Sequence, residues 1–252
     1  MISYFENELK NLKTLLPCEE TNKLFTQLYN YCTESRKDFI KITPKVREIN
    51  HICSSAEYQM ELYYANQIIH SENPKEALAN FIYFDNYKKL SALEYNNIIL
   101  FQDKIQTMLF IWSGPLPLSA ILYAQNYDIE ITLMDISESA LEISKKLILK
   151  LGLENKFHFI SGDAQNIQTE KKYDVVIGAS LIFENDFQQQ ILENIYKNIS
   201  CNYFLVRSSN GIRQLMYKKV EKKFLNKYFQ ILLEIHPKNE LVNSIIITKK
   251  YA

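Results

Sequence analysis

The sequence predicts an α/β protein, a Rossmann-like seven-stranded methyltransferase-type sheet preceded by an all-α helical domain. Two observations predict it. Across residues 7 to 102 the apolar side chains recur at helical spacing, as in Leu9, Leu12, Leu15 and Leu16 and again in Leu24, Leu28, Tyr31 and Cys32, which marks one face of a helix. Beyond Lys104, short apolar runs alternate with amphipathic stretches, the pattern of buried parallel strands joined by helices. The expected division is a helical lid or substrate domain over 1–104 and a Rossmann-like ligand-binding domain over 105–252.

The elements follow in order. In the helical half, Asn73-Pro74 ends one helix and starts the next, because proline is tolerated only in a helix's first turn. In the second half the strand candidates are Thr107 to Trp112, Ile129 to Met134, Lys156 to Ile160, Tyr173 to Gly178 and Tyr203 to Arg207. The clearest intervening helix is Ser137 to Leu151, with Ser137 as its N-cap and Gly152 as its stop. Two last apolar runs, Tyr228 to Ile235 and Leu241 to Thr248, flank His236-Pro237-Lys238-Asn239-Glu240, which reads as a hairpin loop. Five parallel strands closed by a hairpin give the seven-stranded sheet.

Composition narrows the function. The 252 residues carry 29 basic and 29 acidic side chains, so no net field concentrates nucleic acid or anionic lipid. Cys18, Cys32, Cys53 and Cys201 are too scattered for a CxxC site, and a chain of this size needs no disulfide staples. The four histidines, His51, His70, His158 and His236, have no paired spacing, so no metal site is expected. The amino terminus has acids where a signal peptide has a basic region, and no segment has the length and apolarity of a membrane span. A cytoplasmic protein acting on small molecules is the expectation.

The run Met108-Leu109-Phe110-Ile111-Trp112-Ser113-Gly114-Pro115-Leu116-Pro117-Leu118-Ser119 is an apolar strand that breaks at a Gly-Pro turn and starts a helix at once. In a doubly wound sheet this is where a nucleotide-type ligand binds. With one glycine and two prolines the turn makes a poor pyrophosphate cradle. A compact cation with few phosphate demands, such as S-adenosylmethionine, suits it better, held by Ser113, Gly114, Pro115 and Leu116. Asp135 ends the second strand about 20 residues after Gly114, the spacing at which a carboxylate accepts ribose hydroxyls, although it also suits the start of helix capping. Asp163, after the third strand, has two candidate roles, partner of an adenine amine or turn aspartate. Ile136, Ala164 and Ala179, beside these strand ends, complete the expected cofactor-binding set.

Glu61 lies in Met60-Glu61-Leu62-Tyr63-Tyr64-Ala65-Asn66, an aromatic-rich helical stretch. Desolvation there would raise its pKa and make it a better base; a solvated helix glutamate is the plainer alternative. Arg207 ends the fifth strand, where a guanidinium suits an amino-acid carboxylate or pairs with an acid. Arg213 and Tyr217 follow at helical i and i+4 spacing, so one face would present both, with core packing of Tyr217 as the alternative.

Three words, Ser113 to Ser119, His70 to Pro74 with Phe81 to Tyr87, and Arg207 to Tyr217, resemble the nicotianamine synthase family, and the resemblance runs from about Glu57 to Thr248. It implies transfer of the 3-amino-3-carboxypropyl group of S-adenosylmethionine to an amine acceptor, an amino acid or another aminocarboxypropyl unit. Methylthioadenosine is released, and the product is a nicotianamine-like metallophore. On that resemblance Glu61 is the base and Tyr87 orients the amine or the aminocarboxypropyl chain by a hydrogen bond, while Arg207, Tyr217 and Tyr64 contact the acceptor. Trp112 stands where the family usually has glycine, which should crowd the start of the loop. The alternatives are a small-molecule methyltransferase on the same sheet and a cofactor-binding protein without turnover.

Overall fold

The computed structural model describes residues 1–35, 37–179 and 187–251. Five helices come first: α1 (Ile2–Asn11), α2 (Glu19–Glu34), α3 (Pro44–His70), α4 (Pro74–Ala79) and α5 (Phe84–Ile98). Thr43 caps the 27-residue α3, with Pro44 in its first turn. Asn73 caps α4 by accepting from the Glu76 N–H at 3.4 Å, so the Asn-Pro pair separates the two helices.

The strands are β1 (Thr107–Ile111), β2 (Glu130–Asp135), β3 (Phe157–Ser161), β4 (Thr169–Gly178), β5 (Ile199–Ser208), β6 (Phe229–Ile235) and β7 (Ser244–Lys250). Between or after them lie α6 (Leu118–Tyr127), α7 (Glu138–Lys150), α8 (Gln188–Asn198) and the short α9 (Lys222–Leu225). The seven strands form one sheet in the order β3-β2-β1-β4-β5-β7-β6. The first five are parallel, and β7 runs antiparallel to both β5 and β6. The order reverses between β1 and β4, so the loop after β1 opens at the crevice where ligands bind in such sheets.

Several boundaries differ from the sequence expectation. β1 stops at Ile111 because Trp112 has a φ of 61° and leaves the extended region. β4 and β5 begin earlier than their apolar runs, pairing Thr169 with Ile199 across a register shift. Leu241 to Asn243 belong to the approach to β7 rather than to the strand. The helix expected over Arg213 and Tyr217 is a 3-10 turn, Gly211–Leu215, that ends before Tyr217, and the two side chains part, Arg213 to the carbonyls of Leu241 and Asn239 and Tyr217 to Glu57. Ser137 does cap α7, accepting from the Ala140 N–H at 3.2 Å, and Gly152 ends it at a φ of 69°.

Apolar side chains bury both faces of the sheet. One face packs Met108, Phe110, Ile131 and Leu133 against α6, α7 and the stretch from Ala65 through α5. The other packs Leu109, Ile111, Val176 and Val206 against α8. A third cluster joins Phe5, Leu9, Leu28 and Ile49 to Ile212 and Leu215 of the 3-10 turn. α3 therefore contributes to two cores, and its middle turns, including Glu57 and Glu61, lie over the carboxyl ends of the strands.

Candidate active site

A cavity of about 340 Å³ lies where α2, α3 and α5 meet the ends of β1 and β2. Its walls include Glu57, Glu61, Tyr87, Trp112, Ser113, Gly114, Leu116, Asp135, Ile136, Ala179, Arg207 and Tyr217. Residues far apart in the chain meet here because helix α3 crosses above a glycine-containing turn.

The turn is built by its neighbours. Trp112 and Gly114 both have left-handed backbones, with φ of 61° and 68°; this is uncommon for any side chain and strained for a bulky one. The backbone N–H groups of Trp112 and Ser113 both donate to the Met134 carbonyl, at 2.7 and 3.1 Å. The Gly114 N–H donates to Asp135 Oδ2 at 2.9 Å, and Ser144 Oγ on α7 donates to the Gly114 carbonyl at 2.7 Å. Glycine is required at 114 twice over. Its φ disfavours a β-carbon, and the space for one is filled by Glu61 Oε2.

Asp135 uses its other oxygen, Oδ1, to accept from the Ser137 N–H at 2.9 Å. Of the two roles weighed from the sequence, the capping one is present: the carboxylate braces the loop and starts the cap of α7, while its side chain lines the cavity. Burial raises its pKa, opposed by the N–H groups of Ser137, Gly114 and Ile136. Next to it Ile136 is 56% exposed, an apolar surface at the cavity wall suited to a flat aromatic ligand.

Glu61 and Glu57 lie one turn apart on α3 and both line the cavity. Burial pushes the Glu61 carboxyl well above the usual carboxylate range, and Glu57 and Asp135 push the same way, against Arg207 and a hydrogen bond with Tyr87. Glu57 Oε1 accepts from two phenols, Tyr87 at 3.2 Å and Tyr217 at 3.0 Å. Both phenols are held far above their ordinary pKa, by burial first and then by Glu57. They therefore remain donors. Glu57 is not among the site residues expected from the sequence, though its i, i+4 spacing from Glu61 is a signal that the two share a face.

Arg207 is buried at the cavity wall, and Nε and Nη2 form a bidentate pair with Glu94 at 2.7 and 2.9 Å. Nη2 also donates to Ser119 Oγ at 2.8 Å, and Tyr123 donates to Glu94 at 3.0 Å. Glu94, itself fully buried, holds the guanidinium charged against the cost of burial. The sequence carries no local sign of this pair, whose members lie on α5 and β5.

Other expected residues lie elsewhere. Pro115 is buried, and it is not among the side chains lining the cavity. Asp163 accepts from the Gln165 N–H at 2.9 Å and from its Nε2 at 3.2 Å, the turn role, and lies outside the lining. Ala164 is buried, its carbonyl accepting from Asn194 at 2.9 Å. Tyr64 packs edge-on to Phe81, ring centroids 5.0 Å apart, and lines a separate groove with Tyr63 and His70. Arg213 donates to the carbonyls of Leu241 and Asn239 at 3.1 and 2.7 Å, pinning the approach to β7. The Trp112 indole lines the cavity, and its Nε1 and the Ser113 hydroxyl are buried with no partner among the described residues.

The profile of the nicotianamine synthase protein family matches residues 1–252. Nicotianamine synthase of Solanum lycopersicum is 31% identical over 261 residues, covering 96% of this chain and 80% of that one. The crystal structure of MtNAS in complex with MTA and tNA is similar with a TM-score of 0.86 at 20% identity, covering 100% of this chain and 97% of that one. A mutant of MtNAS in complex with S-adenosylmethionine gives a TM-score of 0.84 at the same identity and coverage.

Proposed function

The chain belongs to the nicotianamine synthase family, and from that membership we infer that it transfers the 3-amino-3-carboxypropyl group of S-adenosylmethionine to an amine acceptor. Methylthioadenosine is the by-product, and S-adenosylmethionine is the co-substrate. The observation that carries the reading is the buried Glu61 carboxyl set against the turn after β1, beside Asp135 and Tyr87.

The residues present suit this co-substrate. Glu57, Glu61 and Asp135 face one cavity whose single lining cation among the described residues, Arg207, is already paired with Glu94. Such a site favours a cation. When bound, S-adenosylmethionine supplies an electrophilic methylene attached to a sulfonium leaving group. Asp135 accepts ribose hydroxyls on lone pairs not used by Gly114 and Ser137, and Ile136 with Ala179 contacts the adenine. Ser113, Gly114 and Leu116, with Pro115 stiffening the turn, position the methionine end.

Glu61 acts as the general base, removing the proton from the attacking amine, a role that contributes about 100- to 10,000-fold in typical enzymes. A carboxyl with a raised pKa is a stronger base once ionised. Tyr87 and Tyr217, whose O–H protons go to Glu57, orient the amine by accepting hydrogen bonds from its N–H groups on their phenol oxygens. Arg207 offers Nη1, which donates to no described residue, to a substrate carboxylate, and Tyr64 acts only as outer packing for α3. Residues 1–104 serve as the cap that excludes water over 105–252, so alignment supplies much of the remaining rate.

The product of this transfer is an aminocarboxypropyl amine carrying carboxylates, suited to chelating a metal. A cytoplasmic setting is supported by the four cysteines, which form no disulfide among the described residues. Among those residues no helix is long and apolar enough to cross a membrane. The deciding experiment is incubation of the purified protein with S-adenosylmethionine and candidate amino acids. Methylthioadenosine is the expected by-product; release of S-adenosylhomocysteine alone would overturn the assignment in favour of methyl transfer.

A further inference from the structure

Two helical turns before Glu57, on the same face of α3, stands Asn50, a polar side chain only 2% exposed. It does not line the cavity. Its amide nitrogen donates both protons, one to the Gln214 carbonyl and one to the Leu215 carbonyl, each at 2.8 Å. These are the last two carbonyls of the 3-10 turn, the end at which a helix leaves acceptors without backbone partners, and no backbone N–H among the described residues reaches either. Two residues beyond Leu215, the Tyr217 phenol donates to Glu57 at 3.0 Å, while its carbonyl accepts from Ser209 Oγ at 2.5 Å. Ile212 and Leu215 of the turn share an apolar cluster with Val46 and Ile49 of α3. Apolar burial is non-directional, so it does not fix how far along the helix the turn sits. The Ile212 N–H and the Arg213 guanidinium tie the turn to Lys37, Leu241 and Asn239, which lie outside α3.

We propose that Asn50 is a positioning residue for the transfer: by capping the 3-10 turn onto α3 it sets where the Tyr217 phenol stands against Glu57. Hydrogen bonds are directional, and two from one buried amide lock the register of the turn against the helix that carries both Glu57 and Glu61. Without them the turn can slide along its apolar contact, and the phenol oxygen then meets Glu57 and the attacking amine at the wrong angle. The inference rests on the transfer reading above, which gives Tyr217 the amine to orient.

A double-mutant cycle with Tyr217 tests it, because a residue that only supports the fold would not depend on that phenol. Asn50→Leu keeps the branched bulk and removes both donors. Methylthioadenosine release gives kcat and the KM for S-adenosylmethionine in the unaltered protein, Asn50→Leu, Tyr217→Phe and the double variant, with thermal unfolding checking that each is folded. Asn50→Leu should lower kcat by about tenfold, as expected for a misaligned group, and change the KM by less than about twofold, since the turn after β1 is untouched. In the Tyr217→Phe background the same substitution should cost less than about twofold more, because residues acting as one unit are not additive. A kcat within about twofold of the unaltered value, or a further loss of more than about twofold in the Tyr217→Phe background, overturns the proposal. Should Asn50→Leu not fold, Asn50→Gln, which keeps the amide on a stem one methylene longer, carries the same cycle with the same thresholds. If the unaltered protein itself releases no methylthioadenosine with any amine, it is the transfer reading that fails, and this proposal with it.

Discussion

Glu61 Oε2 occupies the space that a β-carbon on Gly114 would take. A helix residue and a turn residue, 53 positions apart, are thus fitted to each other at the cavity wall. The absence of a side chain at 114 is as much a part of the site as the carboxyl at 61.

Gly114→Ala should separate activity from stability. The left-handed backbone costs an alanine about 1–2 kcal/mol, which thermal unfolding should register as a modest loss. The new methyl group also displaces the Glu61 carboxyl, and misplacement of a reacting group by about 1 Å costs about 100-fold in rate. Turnover should therefore fall far more than stability; equal, small effects on both would show that Glu61 has room to move without consequence.

Glu61→Gln should stabilise the protein in a pH-dependent way. The fold raises the Glu61 pKa from its ordinary value of 4.5, so it favours the neutral carboxyl. The stability due to this group is complete below the unfolded value and is lost as pH rises through the folded one. Glutamine escapes that loss, so urea denaturation should show the variant gaining on the unaltered protein as pH rises above 4.5, with the gap closing below. Turnover should drop by at least about tenfold. In the unaltered protein kcat/KM should rise with pH through a pKa above the usual carboxylate range, and kcat through a lower one, because a bound sulfonium favours the anion.

Glu94→Ala leaves the buried Arg207 charge without its bidentate partner. Removing one member of a buried pair typically costs about 3–5 kcal/mol, and urea denaturation should show a loss of that order. Pairing it with Arg207→Met should restore much of the stability without restoring turnover. If the single substitution costs no more than a surface change, the pair does not hold the cavity wall.

Trp112→Gly sets two terms against each other. Relief of the left-handed backbone returns about 1–2 kcal/mol, while losing the half-buried indole costs about as much in apolar burial. Net stability should change by less than about 1 kcal/mol, and co-substrate affinity should change because the indole lines the cavity. Calorimetric unfolding together with titration of S-adenosylmethionine measures both. A loss as large as that from a core deletion such as Leu109→Ala, about 2–5 kcal/mol, would show the indole to be a structural anchor.

The sheet was legible because its strands are buried on both faces and read as continuous apolar runs, and because Ser137, Gly152 and Asn73-Pro74 punctuate the chain by local backbone chemistry. The same locality explains the errors. A left-handed Trp112 shortens β1, and the 3-10 turn at Gly211–Leu215 separates Arg213 from Tyr217; both reflect contacts outside the segment, such as the Ile212 N–H donating to the Lys37 carbonyl at 3.0 Å.

By itself, the sequence determined the order of helices and strands, the turn after β1 and the acid at the end of β2, since these depend on periodicity, caps and spacing within short segments. It also carried the family words that single out Glu61 and Tyr87. The packing of α3 over the sheet decided the rest: that Glu57 shares the cavity and is gripped by Tyr87 and Tyr217, that Arg207 is tied to Glu94, and that Asp163 and Tyr64 turn to other partners. Those outcomes depend on which side chains distant in sequence come within hydrogen-bonding distance, and on the desolvation this imposes, which no local pattern encodes.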